Sequence, residues 1–272
     1  MRIFNSIQEF NKARDGLGKL SFVPTMGNLH QGHSSLVDIA KQFKNKIIAS
    51  IYVNKLQFND DNDYLNYPKT LNSDIELLQK HGCDYVLIPD DSILDNIQSM
   101  QAPPKSKKLC GQSRPGHFEG VLTILNKFFE IIDPNIVIFG KKDYQQFIMV
   151  RDFINNNNLN IKIIGGNTVR ESSGLALSSR NNLLSTQEKL IAAKLYEVLS
   201  DIESNKNNLN TNFINSKKDY LESYGIKVDY LTTCDPKSLE ESYEINNKDL
   251  LVAIAAYVGK VRLIDNLIIR KL

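Results

Sequence analysis

The stretch that decides the fold of this chain reads Pro24-Thr25-Met26-Gly27-Asn28-Leu29-His30-Gln31-Gly32-His33-Ser34-Ser35-Leu36. The apolar residues just before it, 20–23, predict a buried strand, and Pro24 is expected to end that strand because it cannot donate a ladder hydrogen bond. From Ser34 onward, apolar side chains recur at helical spacing. The stretch therefore predicts a strand, a tight turn that Gly27 and Gly32 permit, and the start of a helix.

Two histidines, His30 and His33, lie at this predicted junction, three residues apart. A helix N-terminus has unpaired N–H groups and the positive end of the helix dipole, which together suit a phosphate group. The imidazoles would add further donors for phosphate oxygens. The simpler interpretation is an ordinary βα corner whose histidines only cap the helix, and the junction alone leaves both interpretations open.

Length and composition exclude several classes of protein. The 272 residues can form one large domain or two smaller ones, and a net charge of +2 is too balanced to indicate nucleic acid as a partner. No apolar run approaches the roughly 18 residues of a membrane span, and the first residues lack the pattern of a signal peptide. Cys83, Cys110 and Cys234 have no Cys-x-x-Cys spacing. We therefore expect a cytoplasmic protein with no protein-built metal site and with thiols that serve as packing residues.

Strand-like and helix-like segments alternate in the first part of the chain. The predicted strands after the first one are residues 46–53, 84–89, 135–140 and 161–164. Between them, helical periodicity covers residues 34–43, 71–78, 121–129 and 144–154. This alternation predicts a parallel sheet covered on both faces, with ligands bound at the carboxyl ends of the strands.

Polar segments follow three more of these strands, at residues 53–58, 140–146 and 169–181. They contain Lys142 and Arg180, fixed charges that suit phosphate oxygens, and a Ser178-Ser179 pair that suits an anion-binding turn. Neither a Walker pattern nor a dinucleotide glycine pattern is present. The two histidines together with this Ser-Ser-Arg segment instead favour attack on the α-phosphate of a nucleotide. Pyrophosphate would leave, while the protein positions groups and neutralises charge.

The pattern changes after about residue 182. One long amphipathic helix is predicted at residues 186–205 and a second helix ends near residue 224. Strand-like segments follow at residues 226–231, 251–258 and 261–269. Helices followed by strands predict a small α+β domain, so we divide the chain into domains at 1–170 and 171–272.

Five motifs, in order and at matching spacing, resemble the pantothenate synthetase (pantoate–β-alanine ligase) family. They are Pro24–His33, Val53-Asn54-x-x-Gln57-Phe58, Ser113-Arg114-Pro115-Gly116-His117-Phe118-x-Gly120-Val121, Gly140-x-Lys142-Asp143-Tyr144-Gln145-Gln146 and Gly174-Leu175-Ala176-Leu177-Ser178-Ser179-Arg180-Asn181. The resemblance implies a Rossmann-like nucleotidyltransferase domain, a smaller C-terminal α+β domain and a homodimer. It also implies ATP-dependent condensation of pantoate with β-alanine through pantoyl adenylate, giving pantothenate, AMP and pyrophosphate.

The resemblance also assigns site residues. The implied ATP site comprises Pro24, Thr25, Met26, Gly27, Asn28, Leu29, His30, Gln31, Gly32, His33, Gly140, Lys141, Lys142, Asp143, Val169, Leu177, Ser178, Ser179 and Arg180. The implied catalytic groups within it are His30, His33 (a proton donor), Lys142, Ser178, Ser179 and Arg180. Gln57 and Gln146 would hold pantoate, and Gln57 would also meet β-alanine. Asn54, grouped with these substrate-binding residues, would assist Lys142 and the phosphates. Mg²⁺ would accompany the ATP phosphates and meet Asp143 through water.

The chain departs from the family pattern at several places, including Lys55-Leu56, Lys141, Ser173 and a short segment at residues 93–110. Three other functions remain open from the sequence. They are a nucleotidyltransferase with another acceptor, a transfer-RNA synthetase and a nucleotide-binding module without catalysis. The paired amides Gln57 and Gln146 argue against another acceptor, and the absence of a basic face argues against transfer RNA.

Overall fold

The structure, a computed structural model, describes residues 1–244 and 248–271. The chain forms two compact units. The first contains Met1–Lys107, Gly111–Lys141 and Gln145–Asn167; the second contains Lys108–Cys110, Lys142–Tyr144 and the chain from Thr168 onward.

The first unit is built on a six-stranded parallel sheet, with strand order β1-β4-β3-β2-β5-β6. Its strands are β1 Arg2–Phe4, β2 Leu20–Thr25, β3 Lys46–Ile51, β4 Tyr85–Leu87, β5 Ile136–Gly140 and β6 Lys162–Gly166. The predicted parallel α/β architecture is confirmed. Chain order reverses between neighbouring strands β2 and β5, which makes their carboxyl ends a topological switch point.

Helices cover both faces of this sheet. They are α1 Ile7–Ala13, α2 Gln31–Ala40, α3 Asp61–Leu65, α4 Leu71–Lys80, α5 Cys110–Ser113, α6 His117–Ile132 and α7 Tyr144–Asn156. Because side chains alternate along a strand, Phe22 packs with Phe128 of α6 in one core, while Val23 packs with Val37 of α2 in another. Two apolar layers therefore cover the two faces of the sheet, and the loops lie at the edge formed by the carboxyl ends of its strands.

The second unit is a three-stranded antiparallel sheet, ordered β7-β8-β9, with helices against it. Its elements are α8 Thr186–Ala192, α9 Lys194–Ser204, α10 Thr211–Glu222, β7 Lys227–Cys234, β8 Leu250–Val258 and β9 Val261–Ile269. Alternate residues of β8, including Val252 and Ile254, share a core with Leu195 and Leu199 of α9. The predicted smaller α+β part is confirmed.

Several details differ from the sequence predictions. Pro24 does not end β2, which continues to Thr25. The helix predicted at 186–205 is divided at Ala193, where a ψ of −24° tightens the backbone without leaving the helical region. The short edge strand β1, which pairs with β4, was not predicted.

The three cysteines are all buried. Burial raises the pKa of the Cys83 and Cys234 thiols to about 12, so both remain protonated near neutral pH. Within residues 1–244 and 248–271, no helix combines the length and the apolar character that crossing a membrane requires.

Candidate active site

The loops that follow β2 and β5 meet the requirements of a ligand site in this kind of sheet. Neighbouring strands β2 and β5 end at Thr25 and Gly140, on either side of the switch point. In open α/β sheets, ligands bind in the crevice outside these carboxyl ends. The predicted histidine segment and the predicted Gly140-Lys141 segment begin at this edge.

The turn between β2 and α2 has a backbone that few residues adopt. Gly27 and Asn28 have φ angles of +84° and +49°, in the left-handed region. A Cβ at Gly27 would also lie 3.1 Å from the Asp74 Oδ2 atom and 3.3 Å from Ile51. Gly27 is therefore needed both for its φ and for its close approach to Asp74.

Asp74, in the first turn of α4, holds this turn in place. Its buried carboxylate accepts hydrogen bonds from the backbone N–H groups of Asn28 (2.9 Å) and Leu29 (2.8 Å) and from the Thr70 hydroxyl (3.0 Å). Unpaired backbone N–H groups in the interior are costly, and a carboxylate is a strong acceptor for them. Asp74 thus fixes the chain just before His30.

The two histidines cap α2, which begins at Gln31 and not, as predicted, at Ser34. The Nδ1 atom of His30 accepts a hydrogen bond from the Gly32 N–H (3.1 Å), and the Nδ1 atom of His33 accepts one from the His30 N–H (3.3 Å). The pair therefore forms a reciprocal capping box. The capping interpretation of the histidines is correct as far as the Nδ1 atoms are concerned.

Capping by Nδ1 determines where the imidazole protons lie. A ring nitrogen that accepts a hydrogen bond holds no proton, so each neutral ring carries its proton on Nε2. The centroids of the His30 and His33 rings are 4.2 Å apart, beside the positive end of the α2 dipole. Capping and phosphate binding use different nitrogens, so the two interpretations are compatible.

A second group of predicted site residues lies after β3. Gln57 ends the 3₁₀ turn Lys55–Gln57, and its Nε2 donates to the Met26 sulfur (2.9 Å). Its Oε1 accepts from Asn54 Nδ2 (3.1 Å), and Asn54 caps the turn by accepting from the Leu56 N–H (3.2 Å). Gln57, which Asn54 also holds, is thus brought against Met26 of the predicted ATP loop.

Gln146 lies on α7, half-buried. Considering residues 1–244 and 248–271 alone, its side-chain amide makes no hydrogen bond. Its neighbour Gln145 is buried and donates to the Lys105 carbonyl (3.1 Å). Of the two adjacent glutamines, Gln146 has the amide that a ligand can engage without breaking an internal bond.

The predicted site residues of the second unit lie on a hairpin and the turn after it. The Leu177 N–H donates to the Val169 carbonyl (2.9 Å), and Gly174, with a φ of +90°, makes the bend. Ser178 caps the following 3₁₀ turn Ser179–Leu183, its hydroxyl accepting from the Arg180 N–H (3.2 Å). The turn holds Ser178 and Arg180 in a fixed relation.

A buried carboxylate, Asp265 of β9, organises this part of the second unit. It accepts two hydrogen bonds from the Arg170 guanidinium, at 2.5 and 2.9 Å, and that guanidinium also stacks 3.7 Å from the centre of the Tyr196 ring. Asp265 also accepts from the Asn266 N–H (2.8 Å), and the Asn266 side chain donates to the Lys142 carbonyl (2.7 Å). The hairpin and the Lys142 segment are therefore both held to β9.

The profile of the family described as "Pantoate-beta-alanine ligase" matches residues 2–268. The chain belongs to this family.

Relatives and solved structures agree with this assignment. The pantothenate synthetase of Pseudomonas fluorescens (strain Pf0-1) is 40% identical over 264 residues, which cover 94% of this chain and 92% of the relative. The pantothenate synthetase of Thermus thermophilus has a TM-score of 0.92 at 33% identity, covering 99% of this chain and 100% of that one. The pantoate–β-alanine ligase of Francisella tularensis, solved with beta-gamma ATP and β-alanine, has a TM-score of 0.83 at 37% identity, covering 98% and 97%.

The structure adds residues to which sequence reasoning gave no role. Asp74 and Asp265 each hold a predicted pantoate–β-alanine ligase segment through backbone or guanidinium hydrogen bonds. Asp265 lies in a C-terminal segment, Arg262–Asn266, that also resembles the family, but no local pattern assigns a role to either carboxylate. Each one binds groups that are remote in sequence, so only the folded chain reveals its partners.

Proposed function

We propose that this chain joins pantoate to β-alanine in two steps, the first of which consumes one ATP. The pantoate carboxylate attacks the α-phosphorus, the bond to the β-phosphate oxygen breaks, and pyrophosphate leaves. The β-alanine amine then attacks the acyl carbon of pantoyl adenylate, loses a proton and displaces AMP. Membership of the pantoate–β-alanine ligase family supports the overall reaction, and the chemistry of the site residues supports the adenylate route.

The observation that carries this proposal is the capping box of His30 and His33. It holds both imidazoles by their Nδ1 atoms at the N-terminus of α2, where the helix dipole also favours negative charge. Donors that are fixed before the reaction stabilise charge that develops in the transition state. We assign the two imidazoles to the phosphates of ATP, together with the loop Pro24–Gly32.

For pantoate, we assign the amides of Gln57 and Gln146. Amides donate and accept hydrogen bonds, which matches a substrate with both hydroxyl and carboxylate oxygens. Asn54 is buried and donates to Gln57 and to the Gly120 carbonyl, so we assign its role to Gln57 and not to direct substrate contact. Gln57 would also meet β-alanine.

We assign charge neutralisation to the second unit. The Lys142 Nζ atom lies 3.7 Å from the Asp143 carboxylate, and the Lys142 side chain is 18% exposed. Lys142 and Arg180 would hold the β- and γ-phosphates, with Ser178, Ser179 and the Val169–Leu177 hairpin completing the ATP contacts.

The residues present fit Mg²⁺ that is bound mainly by ATP. Within the described ranges 1–244 and 248–271, no three His, Cys, Asp or Glu side chains gather closely enough to hold a metal ion. Mg²⁺ usually keeps several waters and is held by phosphates with one or two carboxylates, a role that the half-exposed Asp143 can fill through water. When bound, the ion would supply positive charge to the phosphates.

A homodimer and a cytoplasmic location complete the proposal. The homodimer comes from the family resemblance, whereas the cytoplasmic location comes from the cysteine pattern of the sequence. All three cysteines are buried and free, which is in keeping with a reducing compartment. Light scattering of the purified chain across a range of concentrations tests the dimer.

The proposal is tested by measuring AMP and pyrophosphate release with ATP, β-alanine and a panel of carboxylic acids. We expect release only with pantoate and close analogues that keep its hydroxyl groups. His30→Ala and His33→Ala should abolish most of it, whereas His81→Ala, which removes a histidine paired with Asp38, should not. Release with a different acid would indicate another nucleotidyltransferase, and ATP binding without turnover would indicate a binding module.

A further inference from the structure

The motif Ser113–Val121 has no part in the proposed chemistry, although it is among the motifs that resemble the family. In the structure it forms the end of α5 and the start of α6. Three of its residues, Arg114, His117 and Gly120, contact the turn that carries Gln57. We call these three residues the α6 brace.

The brace holds the backbone of Gln57. The Gln57 carbonyl accepts hydrogen bonds from His117 Nδ1 (2.8 Å) and from Arg114 Nη2 (3.2 Å). The Gln57 side chain is separately held between Asn54 and Met26. Backbone and side chain are thus fixed by different partners, which leaves Gln57 little freedom to turn away from a ligand.

Gly120 allows α6 to approach this turn closely. A Cβ at Gly120 would lie 2.1 Å from the Leu56 carbonyl oxygen and 2.8 Å from the Gln57 N atom, which real atoms do not tolerate. The Gly120 carbonyl also accepts a hydrogen bond from Asn54 (3.1 Å). The absence of a side chain at Gly120 therefore sets the distance at which His117 meets Gln57.

The hydrogen bonds determine the tautomer of His117. A carbonyl oxygen only accepts, so the proton of the neutral ring lies on Nδ1. Nε2 is then an acceptor, and the Arg114 Nη1 atom lies 3.3 Å from it. These three contacts among Arg114, His117 and Gln57 agree in donor and acceptor, and such a second layer of residues can orient a functional side chain.

We propose that His117 and Arg114 are positioning residues that determine how well Gln57 binds pantoate. This inference rests on the proposed role of Gln57. A glutamine whose backbone is already held loses less conformational entropy when its amide binds a substrate. Loss of the brace should therefore weaken the pantoate step selectively, without removing a group that touches substrate.

The test compares three substitutions at His117. Asparagine places an amide N–H close to the position of Nδ1, whereas glutamine places one close to Nε2. We expect His117→Ala and His117→Gln to lower kcat/KM for pantoate on the order of tenfold, the effect of about one hydrogen bond, with a much smaller change in kcat/KM for ATP. His117→Asn should retain most of the pantoate value. His81→Ala is the matched control.

A double-mutant cycle with Gln57→Ala separates this inference from the proposed function. If His117 acts through Gln57, then His117→Ala should add little loss once Gln57→Ala is present. A normal pantoate value for Gln57→Ala would contradict the role of Gln57 itself. A damaged Gln57→Ala with a normal His117→Ala would contradict only the brace.

Other outcomes also decide the matter. Equal losses for pantoate and ATP, or equal values for His117→Asn and His117→Gln, would mean that His117 only stabilises the fold and would overturn the inference. Because His117→Ala leaves a gap in a buried site, thermal midpoints are measured for all variants. If His117→Ala fails to fold, the comparison of His117→Asn with His117→Gln still tests the inference, because both variants keep most of the side-chain volume.

Discussion

The His30 N–H donates a hydrogen bond to Nδ1 of His33, while His30 itself caps the helix that both residues begin. Because this capping uses only Nδ1, it can be separated from the proposed catalytic use of Nε2. Asparagine is a favoured N-cap but has no group at the position of Nε2. His30→Asn should therefore keep the thermal midpoint near that of the wild type, yet slow adenylate formation by about 10²-fold or more.

His30→Ala is the matched comparison. It should lose the same activity and, in addition, about 1 kcal/mol of stability, because the cap is gone. Single-turnover pyrophosphate release and thermal unfolding measure the two effects independently. A His30→Asn variant with near-normal release would show that the histidines only cap the helix.

The sequence predicted strand β2, the junction after it and the place of both histidines at a helix start. It did not predict the path of the backbone where β2 ends. Pro24 was expected to end the strand because a proline lacks an N–H group. In the structure, the backbone carbonyl of Thr25 points to β3 and accepts a hydrogen bond from the Tyr52 N–H. The backbone nitrogen of Pro24 therefore points the other way, to the side where β5 lies. There β2 pairs with β5 only at Ser21 and Phe22, and no ladder bond is lost.

The carboxylate of Asp74 should be necessary for the loop that precedes His30. Asp74→Asn retains the shape but replaces one acceptor oxygen with an amide that cannot accept from a backbone N–H. We expect a loss of about 1–3 kcal/mol in the free energy of unfolding, together with slower adenylate formation. Glu76→Gln, an exposed change on the same helix, is the control. Unchanged denaturation midpoints for Asp74→Asn would contradict this role.

Asp74 also shows why part of the site escapes sequence reasoning. The helical periodicity predicted at residues 71–78 places residue 74 on a helix, and α4 confirms it. The two bonds that Asp74 accepts from backbone N–H groups, however, join residues 45 and 46 positions apart, at a turn where Gly27 and Asn28 have positive φ angles. Such pairings depend on how α4 lies against the turn, which no local pattern contains.

The ion pair between Arg170 and Asp265 should stabilise the second unit strongly. The Asp265 side chain is 3% exposed and that of Arg170 is 17% exposed, so Asp265→Ala leaves a largely enclosed Arg170 charge without its carboxylate partner. Removing one partner of a buried pair typically costs about 3–5 kcal/mol. The comparison is Asp38→Ala, which breaks surface pairs with Lys41 and His81 and should cost about 0–1 kcal/mol. Similar midpoints for the two variants in denaturant unfolding would contradict this difference.

Lys142 should affect one half-reaction more than the other. If its charge serves the departing pyrophosphate, Lys142→Ala should slow pantoyl adenylate formation. It should leave the attack of β-alanine on supplied pantoyl adenylate comparatively intact, because pyrophosphate has already left by then. Rapid-quench measurements of each half-reaction test this, with Lys12→Ala on the exposed face of α1 as the control.

The structure makes this experiment selective for charge. Asn266 holds the Lys142 segment through the Lys142 backbone carbonyl, and this bond survives any change of the Lys142 side chain. Lys142→Met, which keeps much of the length but not the charge, should therefore behave like Lys142→Ala. Asn266→Ala, in contrast, keeps the charge and releases the segment, so it should slow both half-reactions. If Lys142→Met slowed both halves equally, Lys142 would support the architecture of the site and would not act on pyrophosphate.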